Sequence, residues 1–133
     1  MNREIKFRGK VLKSSDWAYG DLHILSDMPH IHTATSVFPY MGKAQFVDIN
    51  TIGQFTGMLD INGKEIYEGD IVRVRTSNDR FTKNPTYKLG VVKYDDKYYG
   101  CWEVSCYYRF LPKRMEVIGN IHDDPELLKG GEK

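Results

Sequence analysis

Only three alanines occur in this chain, against ten isoleucines, nine valines, seven threonines, nine tyrosines, six phenylalanines and two tryptophans. β-Branched and aromatic side chains suit a pleated, half-buried surface, whereas alanine is the best helix former, so a mostly β protein is expected. Apolar residues recur with a period of two in most segments, as in Ile71-Val72-Arg73-Val74-Arg75, and that spacing puts alternate side chains on opposite faces of a strand. At 133 residues the length suits one domain or two small lobes. Hydrophobic residues at 41 % and charged residues at 28 %, with 19 basic against 18 acidic, exclude a disordered chain.

The start, Met1 to Arg8, alternates charge with Ile5 and Phe7 and has no continuous apolar stretch, so neither a signal peptide nor a membrane anchor is expected there. No run approaches the roughly 20 apolar residues of a membrane span. A cytoplasmic location with no membrane partner follows as an expectation. Cys101 and Cys106 lie in one aromatic stretch that reads as a strand. Their odd spacing puts them on opposite faces about 16 Å apart, so they are expected to stay reduced.

Strands are expected over Arg3–Arg8, Trp17–Leu25, Ile31–Phe38 and Ala44–Ile49, with Ser26-Asp27-Met28-Pro29 as a stop after the second. Asn62-Gly63 and Glu68-Gly69-Asp70 are tight-turn signals, the latter leading into Ile71–Arg75. A polar loop covers residues 76–88, Leu89–Tyr94 and Tyr98–Ser105 read as a hairpin around Asp95-Asp96-Lys97, and Met115–Ile118 is the last strand. Asp124 as N-cap and Pro125 at the first helical position predict one short terminal helix. The expected organisation is an N-terminal β lobe over 1–50, an SH3-like β-barrel lobe over 51–128 and a disordered tail over 129–133.

The Arg3-Glu4-Ile5-Lys6-Phe7-Arg8 start, Trp17-Ala18-Tyr19-Gly20, the block from Thr51 to Val72 and the Val117-Ile118-Gly119-Asn120-Ile121 ending together resemble the YopX family, from residue 3 to about residue 128. These are small proteins encoded by bacteriophages and prophages. Met58-Leu59-Asp60-Ile61 is more apolar than the polar stretch expected of the family at that place. The resemblance implies a β-rich fold and a phage context in a bacterial host cell. It implies no biochemical role.

No phosphate-binding glycine loop, nucleophile elbow or catalytic triad signature is present, so no catalytic residue and no cofactor is expected. The Thr51–Asp70 block concentrates Gln54, Thr56, Asp60, Asn62, Glu65, Glu68 and Asp70. A ligand-binding rim is one reading, but Gly53, Gly57, Gly63 and Gly69 suit turns in which Asp60 and Asp70 bond their own backbones. His30 and His32 share one strand face with metal-chelating spacing. His23, placed at the far end of a neighbouring segment, is the only obvious third ligand, so surface histidines and no metal are expected. Asp123-Asp124-x-Glu126 reads as the charged start of the terminal helix rather than as an acid–base pair.

The net charge of +1 hides a split. Residues 70–115 carry ten basic and five acidic side chains, a net +5, whereas residues 116–133 carry a net −3. In Tyr98–Phe110 the even positions, with Trp102 and Val104 at their centre, form a core face, and the odd face is half apolar, which calls for something to cover it. The leading expectation is a non-enzymatic binding or assembly protein that forms a homo-oligomer or takes a host or phage protein as partner. The alternative is a nucleic-acid-binding barrel with Arg73, Arg75, Lys93 and Arg109 on phosphates and Tyr99 or Tyr107 stacking on bases.

Overall fold

The structure is a computed structural model that describes residues 4–33, 43–75, 86–95, 101–105 and 112–130. It is mostly β, with antiparallel strands in two sheets and one short helix. The chain divides into two compact units, Met1–Gly57 and Met58–Lys133.

In the first unit the strands are β1 (Phe7–Lys10), β2 (Trp17–Leu25), β3 (Met28–Thr33), β4 (Lys43–Phe46) and β5 (Gly53–Leu59), adjacent in the order β4-β3-β2-β1-β5. β5 runs on across the boundary. Thr51 and the start of β5 are held by β1 and the residue before it: the Lys10 N–H donates to Thr51 Oγ1 at 2.9 Å, and the Phe55 N–H to the Lys6 carbonyl at 2.9 Å. The core is the sheet face carrying Ala18 and Ile31, completed by Val47, with Phe7, Val11, Leu22 and Ile52 against it.

β2 occupies its expected range, but Ser26-Asp27 is a two-residue hairpin turn rather than a stop. Both residues have positive φ, 51° and 64°, and β3 begins at once with Met28 opposite Leu25. That is the twist a tight hairpin needs, here adopted without glycine. β1 starts at Phe7, later than expected, and the expected run beyond Thr33 lies outside the described residues.

The second unit holds β6 (Glu65–Tyr67), β7 (Asp70–Arg75), β8 (Tyr87–Asp95), β9 (Cys101–Val104) and β10 (Met115–Asn120), the last four in the order β10-β7-β8-β9. Val72, Val74, Val92, Val104, Met115, Val117 and Ile66 form its core, with Trp102 packed against them. Val72/Val74 and Trp102/Val104 thus take the inward role that alternation assigns them. The sheet is open among the described residues, which corrects the barrel expectation: β10 and β9 end the ladder and are not paired to each other. The sheet buries this cluster on one face without closing.

The helix α1 (Glu126–Gly130) is one turn long. Lys129 and Gly130, expected in a disordered tail, are its last residues; residues 131–133 lie outside the described ones. The Asp124 carboxylate accepts from the Asn120 N–H at 3.2 Å rather than capping the helix, and its backbone carbonyl accepts from Leu127 at 3.0 Å. The Asp123 carboxylate accepts from Asn120 Nδ2 at 3.2 Å. Both acids therefore fasten the turn behind β10.

Candidate functional site

The expected cationic surface lies on the outward face of the second sheet, where alternation puts Arg73 and Arg75 of β7 and Lys93 of β8 on one side. Arg73 and Lys93 have acidic neighbours. Arg73 Nη2 is 2.6 Å from Glu116 Oε1, directly across on β10, and its guanidinium lies over the Tyr87 ring at 4.7 Å. Lys93 Nζ is 3.8 Å from Glu103 Oε1, its partner across the β8–β9 ladder. Arg75 is half-buried, and its carbonyl accepts from Arg114 Nη1 at 3.5 Å. Tyr99, Tyr107 and Arg109 lie outside the described residues. The net +5 of the segment was counted along the chain, and pairing across the sheet offsets part of it where Arg73 and Lys93 stand.

The Thr51–Asp70 block is built as a framework. Asp60 is 6 % exposed. Its Oδ1 accepts from the Asn62 and Lys64 N–H groups at 2.8 and 2.9 Å, and its Oδ2 from the Val117 N–H on β10 at 2.9 Å. Burial pushes this carboxyl up. The hydrogen bonds from Val117, Lys64 and Asn62 and the Lys64 charge outweigh that, so it is held below its ordinary value of 3.8. Asp70, also buried, accepts from the Tyr67 N–H at 2.7 Å. Gly57, Gly63 and Gly69 have φ near +85°, at 87°, 83° and 93°.

A different surface stands out in the first unit. The β2–β3 hairpin ends in Ile24, Leu25 and Met28, with Leu25 71 % and Ile24 60 % exposed. Beside it a groove of about 390 Å³ is lined chiefly by Val11, Leu12, Met28, Ala44 and Phe46. Leu12 and Phe46 are exposed, although the Leu12 N–H is bonded to the Phe46 carbonyl at 3.1 Å. This patch escaped sequence reasoning because the turn at Ser26-Asp27 carries no glycine, so Ile24, Leu25 and Met28 read as parts of separate segments.

On the sheet face opposite the core, Lys6 lies over Phe55 at 5.3 Å, and Arg8 and Lys10 over Trp17 at 4.6 and 5.8 Å. These stacks lock β1 to its neighbours. Farther along the same face the register places His23 directly opposite His30, with ring centres 5.4 Å apart, and His32 within 5.9 Å of His23. The expectation that His23 lies far from the other two is thus corrected. The tight hairpin folds β2 back on β3 and brings the three together.

The architecture defines a class, small antiparallel β proteins of two open sheets in two compact units. Within that class the chain belongs to the YopX family: the YopX protein model matches residues 6–129. Among solved structures it is similar to protein EF1440 from Enterococcus faecalis. That crystal structure has a TM-score of 0.56 at 21 % identity, covering 96 % of this chain and 99 % of that chain. The likeness concerns the fold. No curated protein matches the sequence. Among the described residues no helix is long and apolar enough to cross a membrane.

Proposed function

We propose that this chain is a non-enzymatic binding and assembly module that associates with a second copy of itself through the first unit. The observation that carries the reading is the apolar hairpin tip, Ile24, Leu25 and Met28, standing beside an apolar groove walled by Leu12 and Phe46. A projection and a recess on the same unit can be exchanged about a two-fold axis, each copy seating its tip in the other's groove. Burying side chains of this size stabilises an interface by about 1.5–3 kcal/mol each. β4 ends its sheet among the described residues, with the Phe46 carbonyl at its end already taken by the Leu12 N–H, so the apolar side chains rather than the strand edge carry the proposed contact.

Family membership supports placing this association in a phage-encoded protein acting in the host cytoplasm. The nucleic-acid reading of Arg73, Arg75 and Lys93 has less support, because Glu116 and Glu103 stand against two of those cations. Sedimentation velocity over a range of concentrations tests the proposal. The wild type is expected to sediment as a dimer that dissociates on dilution, and Leu25→Asp with Ile24→Ser as a monomer with an unchanged far-ultraviolet circular dichroism spectrum. A wild type that is strictly monomeric at every concentration overturns the reading.

A further inference from the structure

We infer that His23, His30 and His32 form a chelating site for a divalent transition-metal ion of the zinc type on the outward face of the β2–β3 hairpin. The three imidazoles come from two adjacent strands. His30 and His32 are two apart on β3 and share a face, and His23 is the cross-strand partner of His30. Asp21, the cross-strand partner of His32, puts a carboxylate at the fourth corner of the same array. Three histidines and an oxygen ligand are a donor set that zinc accepts, with the fourth position left to carboxylate or water.

The spacing fits. An imidazole that binds zinc at about 2.1 Å holds its ring centre about 3 Å from the ion, so two rings on one tetrahedral ion have centres about 5 Å apart. The observed 5.4 and 5.9 Å are close to that. As they stand the side chains do not make a metal-holding group, since His23 and His30 are stacked with only 16° between their planes. Parallel rings direct their nitrogen lone pairs side by side, and chelation requires them to converge. His23 and Asp21 are both exposed, so each can change rotamer at low cost. His30 supplies the second observation: its Nδ1 is buried and has no hydrogen-bond partner, while its ring is set edge-on to Phe46 at 5.7 Å. A buried, unbonded ring nitrogen is costly, and coordination of the ion through Nδ1 removes that cost.

This site borders the groove, since His30 and His32 are the cross-strand partners of Phe46 and Ala44, but it does not rest on self-association. The test is a titration of the full chain, free of any histidine tag, with zinc by calorimetry and with cobalt by absorbance. One equivalent of zinc is expected to bind. His23→Ala and His32→Ala each remove a direct ligand and are expected to weaken binding by more than the roughly 10–100-fold that loss of an outer-shell partner costs, with Asp21→Asn causing a smaller loss. Cobalt is expected to show ligand-field bands without an intense thiolate charge-transfer band, since the donors of this array are imidazole nitrogens and a carboxylate or water oxygen. Absence of zinc binding, an affinity unchanged in a His23→Ala/His32→Ala double variant, or a thiolate band would each overturn the assignment. His23 is exposed, so a fold defect in its variant is not expected, and circular dichroism on the same samples checks it.

Discussion

At the scale of single residues, Asp60 carries the most structural weight. One carboxylate holds the amides of Asn62 and Lys64 in its own turn and that of Val117 on β10. Asp60→Ala leaves these donors without their acceptor, and with about 1–3 kcal/mol for each buried unsatisfied group, a loss of about 3 kcal/mol in chemical denaturation is expected. The charge has a pH signature. Because the folded carboxyl is held below its ordinary value of 3.8, its stabilisation is fully present above that value and is lost as pH falls through the lower, folded one. Wild-type stability measured from pH 5 downwards is therefore expected to fall more steeply below pH 4 than that of Asp60→Asn. Equal slopes would mean that the charge adds nothing. The turn half of this arrangement was legible, since Asp two residues before Asn62-Gly63 reads as a residue that bonds its own backbone. The bond to Val117 spans 57 positions and has no local signature.

At the scale of elements, two glycines do different work. Gly9 sits in β1 where an added Cβ would come within 2.9 Å of Val47 Cβ and Cγ2, both belonging to a buried side chain. Gly63 has φ of 83° and open space around the missing Cβ. Gly9→Ala is expected to cost about 1–3 kcal/mol by overpacking, and Gly63→Ala about 1–2 kcal/mol through backbone strain alone. Adding Val47→Ala is expected to recover part of the Gly9 loss and none of the Gly63 loss. A double-mutant cycle showing no coupling between Gly9 and Val47 would contradict the packing argument. The Asn62-Gly63 turn could be read from two residues because its cause is local. The need for glycine at position 9 could not, because it arises from a side chain 38 positions away. The same distinction explains the β2–β3 hairpin: Ser26 and Asp27 accept positive φ because the pairing of Leu25 with Met28 and of the strands behind them compels it.

At the scale of the whole molecule, association links stability to concentration. If a second copy binds the folded chain, the thermal midpoint rises with protein concentration. The wild type is expected to show that rise, and Leu25→Asp with Ile24→Ser to lose it, which differential scanning calorimetry at several concentrations would show. The pattern of alternation, the scarcity of alanine and the turn residues determined by themselves that this chain makes short antiparallel strands, and the blocks spread along its length marked its family. These are properties of neighbouring residues and of composition, so they survive without knowledge of what lies across a sheet. Whether the strands close into a barrel, which cations stand beside acids, where the exposed apolar tip stands and that three histidines meet were decided only by tertiary structure. Each depends on the register between strands, and register is fixed by the sum of many distant pairings rather than by any one segment.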